Sequence, residues 1–280
     1  MKLAILHDGP EIFHTIQGEG VSAGLPAVFI RASGCNLHCV WCDSDTTWNF
    51  EGTPWPHAKD ALPGYAKHRR SEVACEMDPA AAAQHILAFE CPRVVITGGE
   101  PLLQEAEFLA MLRLIRAARP DCVFEVETNA TRIPSPEFAA ALDQFNVSPK
   151  LANSGLAESL RLHPEALLYF ANSPKAWFKF VVNDPLDLAE IQALQVRFGI
   201  PQERLLIMPE GRNAADLDRS AAWLAARCRD LGWRYCDRLH IRLWGERRAV
   251  CAPRNARWPW PAVLGRAVST RRRFPTILRS

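Results

Sequence analysis

The chain has 280 residues, 48% hydrophobic and 23% charged, with a formal net charge of +2. That is enough apolar material for one large buried core, and one domain is the expected organisation. The near-balanced charge gives no electrostatic case for a nucleic-acid partner, and no apolar run reaches the ~20 residues of a membrane span. Nine cysteines are too sparse for a disulfide-stapled secreted scaffold, and the odd count leaves a thiol over.

The first residues form a brief apolar patch that meets Asp8 too soon for a signal peptide, so a reducing cytoplasm is the expected location. Glu11 to Gly20 follows, with glycines bracketing acceptors suited to the edge of a heterocycle. Residues 26–31 read as the first strand. Arg31 on that strand offers a fork for a carboxylate, or an ordinary structural ion pair. Next comes Gly34-Cys35-Asn36-Leu37-His38-Cys39-Val40-Trp41-Cys42. Its three thiols lie in one short loop, one ligand short of a closed four-coordinate site. An iron–sulfur centre with an open position and a zinc knuckle both fit, although His38 sits awkwardly as the fourth zinc ligand.

Residues 45–77 are rich in Trp, Pro, Gly and charge and read as an insertion that covers or flanks the cysteine loop. Trp48, Phe50 and Trp55 favour packing over disorder. Beyond it, strands are expected at 93–97, 123–127, 144–147, 177–182 and 205–208. Helices are expected at 80–89, 105–118, 136–142, 186–198 and 214–231. Asp78-Pro79 and Ser135-Pro136 supply N-cap and first-turn chemistry. A count near six βα units predicts an α/β fold, a partial (βα)6 barrel with an insertion after the cysteine loop. Thr97-Gly98-Gly99-Glu100-Pro101, Glu125 to Asn129 and Asn146 to Lys150 end successive strands and deliver polar groups to one mouth. The other six cysteines are scattered and read as buried hydrophobes. Residues 251–280, mixing Arg with Pro and Trp, read as a poorly ordered extension to a catalytic unit at 1–250.

The CxxxCxxC spacing followed by Gly-Gly-Glu-Pro resembles the radical S-adenosylmethionine enzymes. With the motifs at 16–20, 31–43, 95–101, 147–150, 208–211 and 240–245, the resemblance narrows to the 7-carboxy-7-deazaguanine synthase family. It implies that Cys35, Cys39 and Cys42 hold a 4Fe-4S cluster whose fourth iron S-adenosylmethionine chelates. The implied reaction is ring contraction of 6-carboxy-5,6,7,8-tetrahydropterin with loss of ammonia, on the route to queuosine. Hydrogen is taken from substrate C6 and later returned, so S-adenosylmethionine acts catalytically and no side chain is assigned as acid or base.

By the same resemblance, Ile16, Gln17, Gly18, Glu19, Arg31, Thr97 and His240 bind substrate. Trp41, Cys42, Asp43, Gly99, Glu100, Ser148, Pro149, Lys150, Pro209, Glu210 and Gly211 bind the cofactor. Ser44, where the family often has Thr, would hold Mg2+. His240 equally suits a packed side chain, and Ala249 stands where the family pattern tends to have Gly. The partners implied are an external electron donor such as flavodoxin or ferredoxin and a second copy in a homodimer. A radical activase acting on a partner protein and a non-catalytic iron–sulfur protein are the alternatives. An RNA-binding role for the Arg-rich tail is a third.

Overall fold

The computed structural model describes residues 1–7, 9–248 and 250. Asp8, Ala249 and the expected extension from Cys251 to Ser280 lie outside the described residues. The chain opens with β1 (Lys2–Leu6), β2 (Gly9–Pro10), β3 (Ile12–Ile16) and β4 (Pro26–Ala32). β3 and β4 form an antiparallel hairpin with Ile12 opposite Ile30. β1 pairs antiparallel with β2, β4 and β5 (Ala74–Glu76). Part of the expected insertion, α1 (Arg70–Val73) and β5, thus leads back into the sheet. β2 and β5, of two and three residues, give too little alternation to be read from sequence.

The βα repeat then sets in. It runs α2 (Pro79–Leu87), β6 (Arg93–Gly98), α3 (Glu105–Ala118), β7 (Val123–Thr128), α4 (Pro136–Ala141) and β8 (Gln144–Val147). It continues α5 (Glu158–Arg161), α6 (Pro164–Asn172), β9 (Ala176–Val182), α7 (Pro185–Phe198), β10 (Leu205–Pro209), α8 (Ala214–Leu231), β11 (Arg234–Tyr235) and α9 (Leu239–Trp244). β4, β6, β7, β8, β9, β10 and β11 are neighbours in that order, all parallel. The predicted α/β partial barrel is therefore present, with a hairpin on one side and the short β11 on the other. Helix starts follow side-chain chemistry: Asp78 accepts from Ala80 N–H at 2.7 Å, and Ser135 from Phe138 N–H at 3.2 Å. Pro79 and Pro136 occupy the first turns.

The strands alternate more sharply than their apolar look suggests. Val94, Ile96, Phe124, Val126, Phe145, Val147, Phe178 and Phe180 join the helices in one core. Their sequence neighbours Thr97, Glu125, Glu127, Asn146, Ser148 and Lys179 face the other way, into the barrel. Glu125 is fully buried there and accepts from Ser22 Oγ at 2.7 Å, Asn146 Nδ2 at 3.0 Å and Gln144 Nε2 at 3.2 Å, while also pairing with Arg93. A buried carboxylate is tolerable only when so completely partnered. This knot fastens the β3–β4 connection, through Ser22, to the barrel floor.

On the outer face, Phe145 is 1% exposed and meets Phe170 edge-on at 5.3 Å. Phe145→Ala is expected to cost about 3–5 kcal/mol by chemical denaturation. A cost under about 1 kcal/mol would contradict the packing described.

Candidate active site

After β4 the chain runs through the cysteine loop without regular structure, and its backbone is held by neighbours. Gly34 N–H donates to Thr47 O at 2.8 Å, Glu100 N–H to Gly34 O at 2.9 Å, and Val40 N–H to Ser154 O at 3.0 Å. Arg212 Nη2 donates to Cys42 O at 3.0 Å and Trp41 O at 3.2 Å. Gly98 has φ +125°, and a Cβ on Gly99 would overlap the Gly34 carbonyl. The paired glycines thus let the β6 loop close onto the cysteine loop.

The segment after the loop is built, as its aromatics predicted. Asp45, 1% exposed, accepts from Lys59 Nζ at 2.7 Å and Tyr65 Oη at 2.8 Å and pairs with His68 Nε2 at 2.8 Å. Ala58 N–H donates to Val40 O at 2.7 Å, and His57 Nε2 lies 2.9 Å from Cys42 O. The His38 ring stacks on Trp55 with centroids 3.4 Å apart and meets Trp48 edge-on at 5.2 Å. Burial pushes His38 down to about 4.

At the strand tips lies a cavity of about 380 Å3. Ile16, Gln17, Gly18, Glu19, Arg31 and Thr97 line one part of it, and Cys35, Cys39, Trp41, Cys42, Asp43 and Ser44 another. Gly99, Ser148, Lys150, Glu210 and His240 complete the predicted residues that reach it. Pro149, Pro209, Gly211 and Glu100 do not line it. Gly211 O accepts from Arg238 Nη1 at 2.7 Å. Glu100 is fully buried, accepting from Asn129 N–H at 2.7 Å, Thr128 Oγ1 at 2.9 Å and Leu102 N–H at 3.0 Å. Burial raises its pKa, and its oxygens brace the β6 and β7 loops.

Sequence reading missed the charge network that organises the cavity. Glu19 pairs with Lys179 and, at 2.9 Å, with Arg238 Nε, and Arg238 also pairs with Asp43. Burial alone would raise the Glu19 pKa; Lys179 and Arg238 override it and hold the carboxyl well below its usual value. Lys179, a lone cation in the apolar run Trp-Phe-Lys-Phe, was a signal available in the sequence. Arg238 was not, because its partners lie 195 and 219 residues away. Arg31 Nε donates to buried Glu11 Oε1 at 2.8 Å and Nη1 to Ser44 Oγ at 3.3 Å. Glu127 Oε2 accepts from Thr97 Oγ1 at 2.6 Å, and Oε1 from Gln17 Nε2 at 3.4 Å. His240 packs its ring where Gly18 has no Cβ and lies 3.9 Å from Glu19, so it is both packed and part of the wall.

The three thiols fit an iron–sulfur centre by donor chemistry. Burial pushes Cys35 up and Cys42 to about 12, so a bound cation is what would hold these sulfurs as thiolates. His38 is occupied by stacking. Among the described residues no group of three or more His, Cys, Asp or Glu is arranged to hold a metal ion. In an iron–sulfur cluster each thiolate addresses a different iron, so the three sulfurs need not converge on one ion.

Fold and site together define the radical S-adenosylmethionine class, and the pattern described as the Radical SAM superfamily matches residues 29–153. A protein of Pyrobaculum aerophilum named 7-carboxy-7-deazaguanine synthase is 34% identical over 85% of this chain and 95% of its own. One of the same name from Halobacterium salinarum is 34% identical over 85% of this chain and 93% of its own. A crystal structure of QueE from Escherichia coli superposes with TM-score 0.57 at 23% identity, covering 85% of this chain and 95% of that one. The chain belongs to the 7-carboxy-7-deazaguanine synthase family.

Two outcomes follow from the site's construction. Gly99→Ala is expected to lower Tm and the iron bound per chain, because the two loops must separate; unchanged iron content would refute that. Glu19→Gln is expected to lower Tm at neutral pH, where the depressed carboxylate contributes its stability in full. The gap should hold above the ordinary value of 4.5 and narrow as pH falls through the lower folded value. A gap independent of pH would remove Glu19 from the network.

Proposed function

We propose that the catalytic unit, residues 1–250, contracts the ring of 6-carboxy-5,6,7,8-tetrahydropterin to 7-carboxy-7-deazaguanine with release of ammonia, in queuosine and deazapurine biosynthesis. The observation that carries this is one cavity, in a chain of this family, where three thiols meet Gln17, Glu19, Arg31 and Thr97. Cys35, Cys39 and Cys42 would hold the 4Fe-4S cluster. The chemistry that a bound cluster and S-adenosylmethionine supply is one-electron cleavage of the sulfonium and reversible hydrogen removal from the substrate.

The chain's own residues bind and orient. Lys150, whose ammonium donates to Ser148 Oγ at 3.0 Å and lies 5.8 Å from the Trp41 ring centroid, suits the cofactor's carboxylate. Asp43, Gly99 and Glu210 complete that subsite, with Pro149, Pro209 and Gly211 supporting the lining residues next to them in sequence and Glu100 acting through the loops it braces. Arg31, aimed from behind by Glu11, suits the substrate carboxylate. Gln17 and Thr97, tied together by Glu127, offer an edge to the heterocycle, and Ile16, Gly18, Glu19 and His240 close it in. Ser44 Oγ, 3.1 Å from Asp43 Oδ1, offers hard oxygen donors for Mg2+. With this activity go an external electron donor, a cytoplasmic location and a homodimer.

Reconstituted anaerobic enzyme given cofactor, reductant and the carboxytetrahydropterin is expected to form the deazapurine; no product from cluster-replete enzyme would refute the assignment. Arg31→Ala is expected to cut kcat/KM for the pterin about 30-fold, the size of a lost buried charge pair, while cofactor cleavage without substrate changes little. Equal losses in both assays would take Arg31 away from the substrate.

A further inference from the structure

Buried Glu11 holds two arginines where one would neutralise it. Its side chain has no solvent exposure, and its backbone is fixed at both ends: Glu11 N–H donates to Ala4 O at 2.7 Å, and Glu11 O accepts from Arg31 N–H at 3.1 Å. Glu11 Oε1 accepts from Arg31 Nε at 2.8 Å. The other oxygen, Oε2, accepts from Nη2 of Arg248, 237 positions along the chain. Arg248 arrives there because α9 ends at Gly245, whose φ of +63° and ψ of −144° turn the chain out of the helix. Beyond that turn Glu246, Arg247, Arg248 and Val250 line the cavity, as Arg31 does from the strand side.

A buried carboxylate calls for one counter-charge, and Arg31 supplies it. A second guanidinium on the same carboxylate leaves the trio with a surplus positive charge and sets the two cations against each other. The other carboxylates that act on Arg31 do not absorb the surplus: Asp43 is paired with Arg238, and Glu127 accepts from Thr97 Oγ1 and Gln17 Nε2. Neither arginine spends its whole fork. Arg31 uses Nε on Glu11 and Nη1 on Ser44, and Arg248 uses Nη2 on Glu11. Among the described residues Arg31 Nη2 and Arg248 Nε and Nη1 donate to no acceptor. Two planar forks with unused N–H groups, lining one cavity and short of one negative charge, match the recognition chemistry of a further carboxylate.

We propose that Arg248 is a substrate-binding residue: with Arg31 it forms a two-arginine clamp, both forks held from behind by Glu11, that takes the carboxylate of the carboxylated pterin. This rests on the proposed function, whose substrate brings that carboxylate. Glu11 is then a positioning residue that acts through both arginines. The clamp also makes the segment after α9 part of substrate selection, because a pterin lacking the carboxyl group would leave two like charges facing each other without an anion between them.

The test is anaerobic calorimetry on cluster-replete enzyme with S-adenosylmethionine and no reductant, so that binding is read apart from chemistry. Two ligands are compared, 6-carboxy-5,6,7,8-tetrahydropterin and the tetrahydropterin without its carboxyl group. Arg248→Ala is expected to weaken the carboxylated ligand about tenfold, as for one lost charge-assisted pair at a partly exposed site, and the carboxyl-free ligand by less than about twofold. Should the alanine variant unfold, Arg248→Gln, which keeps the length and a donor but not the charge, is read in its place with the same selective loss expected. Equal loss for both ligands would make Arg248 a structural brace of Glu11, and no loss for either would place the carboxylate elsewhere; either overturns the proposal. A parent enzyme that binds the two ligands alike overturns it too. Parent enzyme that prefers the carboxylated pterin yet forms no deazapurine once reductant is added would refute the proposed reaction and leave the clamp standing.

Discussion

Three sulfurs must be held in fixed relation on a loop that makes no helix or strand of its own, and that constraint shapes the structure around them. A loop of this kind cannot satisfy its own backbone groups, so other elements do it. Thr47, Ala58, Glu100, Ser154, Arg212 and His57 each contribute a bond, from the insertion and from the loops after β6, β8 and β10. The cysteine positions are thereby a collective property of the barrel mouth. The Gly98-Gly99 pair is the tightest of these contacts, because no side chain can stand between the two loops.

Behind the mouth, the barrel turns its charges on one another. Glu11, Glu19, Glu127 and Asp43 face Arg31, Lys179, Arg238 and Arg248, and each of these four cations is anchored by at least one carboxylate. Such pairs contribute little net stability when buried, since desolvation offsets the attraction. Their value lies in orientation: Arg31 and Lys179 are held at one end and present the rest of the group to the cavity. That arrangement suits recognition of an anionic, hydrogen-bonding heterocycle by groups that need no rearrangement on binding.

Much of this was legible in the sequence where the signal was local. The parallel strands and their helices announced themselves by apolar runs and by Asp-Pro and Ser-Pro starts. The cysteine loop, Thr97 to Glu100 and Ser148 to Lys150 fell at strand ends as motifs. Illegible were features made by distance. Arg238 lies far along the chain from Glu19 and Asp43, and nothing near it in sequence marks the pairing. Glu100 was marked only by its motif; the fold shows that backbone and Thr128 donors occupy its oxygens. β2 and β5, two and three residues long, were too short to leave a period.

The knot around Glu125 bears on how molecules reach the cavity. Ser22, Arg93, Gln144 and Asn146 stopper the narrow end of the barrel, and Glu125 at their centre has no solvent exposure. Among the described residues that end of the barrel is therefore filled by side chains, and the space for a bound molecule is the cavity at the strand tips.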